Sequence, residues 1–88
     1  MKDVTQETES IFLESYLEED FIESLAVFFL DCDENINDTA RQLFLHNNTI
    51  KYRLKRAQER LGMSFSHTAS RYLLIKNLIY YRKYSDKD

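Results

Sequence analysis

Residues 35–62 read NINDTARQLFLHNNTIKYRLKRAQERLG, and the rest of the chain can be placed by working outward from them. In the second half of this stretch Ile50, Leu54, Ala57 and Leu61 recur at i, i+4, i+7 and i+11, the spacing of the stripe that an amphipathic helix buries. At about 100° per residue, Asn48, Tyr52, Lys55 and Glu59 then share the far side, with Lys51 and Arg56 flanking them. That face is polar and mostly cationic. A helix with an apolar stripe against its own protein and basic, hydrogen-bonding residues outward suits the major groove of DNA.

The first half of the stretch predicts a shorter helix leading into a tight turn. Asn37 is a suitable N-cap and Asp38 falls in the first turn, where a carboxylate is favoured by the exposed N–H groups. Ala40 supplies a small residue where two helices cross closely; Leu43 follows one turn later, and Leu45 anchors the turn. His46 or Asn47 can cap the next helix, and Thr49 lies in its first turn, near where a phosphate would meet the helix N-terminus. This is the grammar of a helix-turn-helix.

The same residues carry a resemblance. LFLHNNTIKYRLKR, preceded by NINDTAR and followed by Leu-Gly, resembles the C-terminal DNA-binding domain of the PucR and carbohydrate-diacid regulator (CdaR-like) family of bacterial transcription factors. Its helix-turn-helix is similar in outline to that of Fis. Leu43, Phe44, His46, Asn48, Thr49, Tyr52, Arg53, Leu54 and Arg56 stand where the family pattern asks, and Ala40 and Gly62 agree. Weaker similarity reaches back to about Phe21 and forward into the last helix. The position of Asn47 is often Arg in the family. Phe44 stands where other helix-turn-helix families commonly have Gly, but the PucR-like pattern also has a bulky residue there. The resemblance implies a DNA-binding function. It also implies a ligand-sensing region N-terminal to such a domain, so the chain reads as either an excised C-terminal domain or a stand-alone short protein.

Eighty-eight residues predict one small domain with a modest core, which association with a second copy would help stabilise. With no Pro and a single Gly, the composition argues for helices and short polar connections. The predicted fold is therefore all-α, a small bundle of about five helices containing the helix-turn-helix. Cys32 is the only cysteine and cannot form an internal disulfide, which fits a reducing cytoplasm. No apolar run approaches the roughly 20 residues that span a bilayer.

The net charge of -3 hides a segregation. Residues 1–34 hold 11 acids and 1 base, whereas residues 35–62 hold 6 bases and 2 acids and residues 63–88 hold 5 bases and 2 acids. Local basicity on one helix is what phosphate contact requires, although a solvated charged face would look the same from charge alone.

In chain order, residues 1–8 are polar and read as frayed. Ile11, Phe12, Leu13, Tyr16 and Leu17 predict a short helix over about 9–17, and Glu18, Glu19 and Asp20 mark a break before the next, about 21–31. Phe21, Leu25, Phe28 and Phe29 line one side of that helix, with Ile22 beside them, as a scaffold for the helix-turn-helix. The run DCDENIND over 31–38 alternates acids and amides like a calcium loop. Its sixth and twelfth positions are Ile36 and Gln42 rather than Gly and Glu, so it reads as a connection. His46, His67 and Cys32 lack zinc spacing, and no metal or cofactor is expected. Gly62 takes a left-handed C′ position, Met63 and Phe65 tuck back onto the core, and Ser66 caps a last helix of about 67–83, leaving 84–88 as a frayed tail. Tyr72, Leu73, Leu74, Ile75, Leu78, Ile79, Tyr80, Tyr81 and Tyr84 crowd more than one face of this helix, so it either runs through the middle of the domain or forms a homodimer contact.

These readings converge on sequence-specific binding of double-stranded DNA by a regulator domain, with the recognition helix over about 47–61. Asn48, Lys51, Tyr52 and Lys55 are the expected base contacts: an amide pairs with adenine, Lys reaches guanine acceptors and a Tyr ring meets a thymine methyl. His46, Asn47, Thr49, Arg53 and Arg56 are the expected phosphate contacts. Each has a bland alternative: Asn48 as a cap, Tyr52 and Arg53 as edges of the core, and the lysines as solubilising charge. The alternative for the whole chain is a helical interaction or oligomerisation module that does not bind DNA. An enzyme is not indicated, since there is no Gly-rich phosphate loop, no HExxH and no nucleophile with a base at a recognised spacing. No small-molecule site is expected.

Overall fold

Glu19 and Asp20 occupy the first turn of a helix where free N–H groups favour carboxylates, and that helix holds the rest together. A computed structural model describes residues 13–85, and among them every regular element is helical. α1 covers residues 13–16, and its chain turns as the Leu17 N–H donates to the Leu13 carbonyl. The part of the expected first helix before residue 13 and the expected frayed segment 1–8 lie outside the described residues. α2 spans Glu19–Ala26, α3 Ile36–Leu43, α4 Asn47–Leu61 and α5 Thr68–Ser85.

The helix expected over 21–31 is regular only as far as Ala26; Val27–Asp31 form a π-helical turn, in which the Cys32 N–H donates to the Val27 carbonyl at 2.9 Å. Such a turn admits one extra residue into a helix. The Glu34 N–H then donates to the Phe28 carbonyl at 2.7 Å, and Asp33 and Glu34 sit in left-handed backbone at φ 51° and 62°. The run 31–38 is thus a sharp corner leading to α3. The N-cap of α3 is Asn35, not Asn37: the Asn35 side chain accepts from the Asp38 N–H at 2.8 Å. The asparagine at the corner has extended backbone and can turn its oxygen back onto the helix, whereas Asn37 already lies inside the first turn.

Leu13 and Leu17 join Ile22, Leu25 and Phe29 from the α2 region, Ala57 and Leu61 from α4, and Phe65, Leu74 and Leu78 in one buried cluster. Phe29 meets Phe28 and Phe65 edge-on, with ring centroids 4.9 and 5.6 Å away. Edge-to-face packing of this kind is worth about 0.5–1.5 kcal/mol beyond the area buried. α2 packs against α4 and α5, and the π turn packs against α3 and α5. The central scaffold is therefore α2. That corrects the expectation that α5 runs through the middle: Leu74, Asn77 and Leu78 line its buried side, while Tyr72, Ile79 and Tyr84 stay exposed.

Two arginines strap α5 to the corner before α3. Arg71 pairs with Glu34, and Arg82 grips both oxygens of Asp31 at 2.8 and 2.9 Å. The Arg82 hydrogen bonds hold the Asp31 carboxyl below its usual pKa against a smaller opposing effect of burial, and the Glu34 pair raises that of Arg71. Ser66 does not cap α5. Its hydroxyl lies 2.9 Å from that of Ser64, the helix starts at Thr68, and the Arg71 N–H closes the first turn on the His67 carbonyl. Nor does α5 end at 83. It continues through Ser85, with the Tyr84 ring 4.5 Å from that of Tyr80. Within its buried stripe Asn77 donates to the Leu73 carbonyl at 2.9 Å, while its Oδ1 has no partner among the described residues.

Candidate nucleic-acid interface

The turn between α3 and α4 ends one helix and aims the next. Phe44 has φ 58° and ψ 45°, a left-handed conformation that usually falls to Gly. The Leu45 N–H donates to the Ala40 carbonyl at 2.8 Å and the Phe44 N–H to that of Arg41 at 3.3 Å, the bond pair of a Schellman motif. Leu45 turns inward against the helices, whereas the Phe44 ring is 91% exposed. His46 is the N-cap of α4 by position, with no side-chain cap bond, and its carbonyl accepts from the Thr49 and Ile50 N–H groups. The amides of Asn47 and Asn48 belong to the first turn, whose N–H groups have no partner within the helix and can receive an anion. Across the turn the Asn47 side-chain amide donates to Asn37, tying the starts of α3 and α4 together.

α4 presents the face that its periodicity predicts. Ile50 and Ala57 are fully buried, Leu61 nearly so, and Leu54 packs against the core. Gly62 ends the helix in left-handed backbone at φ 66°, and Phe65 is buried with Met63 packed beside it, as expected. His46, Asn47, Asn48, Lys51, Tyr52, Lys55 and Arg56 are all exposed, and Thr49 is half-buried. Lys51 and Lys55 form no ion pair among the described residues, while Arg56 pairs with Glu59 one turn on at 3.2 Å.

Arg53 is placed differently from the other expected contacts. Its guanidinium turns onto α2, donating to the buried Ser24 hydroxyl at 2.8 Å and lying over the Phe21 ring at 5.8 Å. Ser24 is itself fixed, donating to the Asp20 carbonyl at 3.0 Å. Arg60 lies over the same ring at 5.2 Å and reaches Glu18 at 3.5 Å. Tyr52 meets Phe21 from a third direction, its ring inclined at 62° and centred 6.4 Å away. The expected base contacts Asn48, Lys51, Tyr52 and Lys55 therefore share one outward face, and Arg53 leaves the phosphate set for the seam with α2. Phe21 and Arg60 escaped the sequence reading as site residues. A charge of Arg60 near the acids of 18–20 was the one hint, and it needs the fold to bring them together.

Among the described residues no His, Cys, Asp and Glu group could hold a metal ion, and no helix is long and apolar enough to cross a membrane. Against known protein families, the model of the PucR C-terminal helix-turn-helix domain matches residues 21–76. The match runs from Phe21 in α2 to Lys76 in α5, taking in the corner, the turn and the whole of α4. No curated protein and no solved structure matches the chain.

Proposed function

Because the chain belongs to the PucR C-terminal helix-turn-helix family, we propose that it binds double-stranded DNA as the DNA-binding domain of a transcriptional regulator, with α4 in the major groove. The observation that carries this reading is the outward face of α4, where Asn48, Lys51, Tyr52 and Lys55 are exposed together and the two lysines have no partner within the fold. In the groove Asn48 pairs with adenine, Lys51 and Lys55 reach guanine acceptors, and the Tyr52 ring covers a thymine methyl. His46, Asn47, Thr49 and the first-turn amides receive a phosphate at the N-terminus of α4, and Arg56 takes another on its flank. Asn47, tethered to Asn37, sets the spacing of that site rather than adding charge.

One module covers few base pairs, so we extend the proposal to two copies on half-sites about one helical turn, roughly 34 Å, apart. The exposed side of α5, with Tyr72 and Ile79 two turns apart, is the surface for their contact. Sedimentation equilibrium checks this: wild type should associate with rising concentration and Ile79→Lys should not. Equal behaviour of the two would remove α5 from the contact.

Binding itself is tested by fluorescence anisotropy of a labelled mixed-sequence duplex at several salt concentrations. The logarithm of affinity should fall with the logarithm of salt at about -0.9 per phosphate neutralised. Lys55→Ala with Arg56→Ala should give a shallower slope. No detectable binding at low salt by a folded wild type would end the DNA reading.

A further inference from the structure

The seam between α2 and α4 holds an arrangement that the proposed function does not use. Phe21 is a half-buried residue of α2, yet three of its ring contacts come from the recognition helix: Arg53 and Arg60 over the ring and Tyr52 at its edge. Arg53 and Arg60 are seven residues apart, two turns of helix, so both leave the same flank of α4. Each also has a second tether on α2, Ser24 for Arg53 and Glu18 for Arg60. Tyr52, by contrast, keeps its outer surface, 59% exposed, and joins the outward face.

We infer that Phe21 is a positioning residue that sorts the side chains of α4, aiming Tyr52 at the DNA and holding Arg53 and Arg60 off it. The inference rests on the DNA-binding reading of α4. A guanidinium over an aromatic face is attracted to the ring's negative quadrupole, and a Tyr meeting the edge of the same ring has its swing limited. Without the ring, two long cationic side chains are released on the flank of a helix lying in the groove, within reach of the backbone. Contacts to phosphate add affinity that carries no sequence information. By withholding two guanidiniums, Phe21 keeps a larger share of the binding energy in base contacts and makes Tyr52 one of them.

The test compares wild type with Phe21→Leu, which keeps an apolar side chain but no ring, and Phe21→Trp, which keeps a ring face. The probes are the mixed-sequence duplex, titrated against salt, and a duplex selected by wild type from a random pool, measured against its scrambled counterpart. For Phe21→Leu the salt slope should steepen by about one to two units, 0.9 for each arginine released. Its preference for the selected duplex should fall by about fivefold or more, the low end of what one good base contact supplies. Phe21→Trp should behave as wild type, and Arg60→Gln in the wild-type background should leave the slope unchanged. An unaltered slope and preference in folded Phe21→Leu would overturn the inference, as would a slope shallower by about 0.9 in Arg60→Gln, which would put Arg60 on a phosphate already. Should Phe21→Leu lose its helical circular dichroism, the tryptophan and Arg60 variants decide. A flat salt titration of wild type sinks the DNA reading itself. A steep one with unresponsive variants sinks this inference alone.

Discussion

α4 and α5 are both cationic helices laid on the same scaffold, and they divide their cations in the same way. On α4, Arg53 and Arg60 turn inward to α2 while Lys51 and Lys55 stay outward. On α5, Arg71 and Arg82 reach the corner at Glu34 and Asp31, while Lys76 and Lys83 lie over the exposed rings of Tyr72 and Tyr84. Arginine's planar fork suits carboxylates and aromatic faces; lysine's compact ammonium is more strongly hydrated. The difference lies in the anchors: α5 is held by ion pairs at its corner, α4 by a ring. The lesson is that the number of basic residues on a helix overstates what it can offer a phosphate. α4 carries five, and only Lys51 and Lys55 are without an intramolecular partner of charge or ring.

The largest effects should be blind to this contrast. Ile50 on α4 and Leu78 on α5 are both fully buried, and truncating either to Ala should cost about 2–5 kcal/mol in urea unfolding. A cost under about 1 kcal/mol for one of them would mean that its helix is held mainly by arginine. Next comes the inward-outward division itself. Arg53→Ala removes a charged hydrogen bond to a buried hydroxyl and a ring contact, and should lose about 1–2 kcal/mol. Lys55→Ala should stay within about 0.5 kcal/mol. Equal losses would abolish the distinction between anchor and reader.

The smallest effect separates the two kinds of anchor. The Asp31 pKa is lowered by Arg82, so the pair's stabilisation is complete above the ordinary carboxylate value of about 3.9 and is lost as pH falls through the lowered one. The pair is partly exposed, so its contribution is at most about 1 kcal/mol. Stability measured from pH 7 down to 2 should therefore show a shallower acid loss in Arg82→Gln than in wild type. Arg53→Ala should leave that limb unchanged, because no carboxylate side chain holds Arg53.

The helix-turn-helix was legible because its signals are local. Ile50, Leu54, Ala57 and Leu61 declare the buried stripe of α4, and Gly62 ends it where predicted. The family pattern within the same stretch gave the resemblance that residues 21–76 bear out. Caps were read to within a residue or two, since a run such as DCDENIND offers several asparagines and aspartates, and only the corner's backbone selects Asn35 over Asn37. The partners of Arg53 were not legible at all. Phe21 and Ser24 lie about 30 residues away, and nothing in the neighbourhood of Arg53 distinguishes an arginine facing a scaffold from one facing solvent. The exposed left-handed Phe44 is in the same position: the residue type argues against the backbone it adopts, and only the Schellman bonds show why the turn needs it there.

The π turn at Val27–Asp31 makes the scaffold helix sensitive to deletion in a way that substitution does not reveal. Removing one residue from it, Leu30 for example, would let the segment relax to an ordinary α-helix with every remaining backbone bond satisfied. Yet everything beyond would be rotated by about 100° and drawn back by about 1.5 Å. Asp31 and Glu34 would then swing out of reach of Arg82 and Arg71, and α3 would leave the corner on a different heading, carrying α4 with it. The direction in which the recognition helix points is thus set by the length of the scaffold helix as well as by its side chains, and variants that change that length by one residue should fold locally while losing the geometry of the pair.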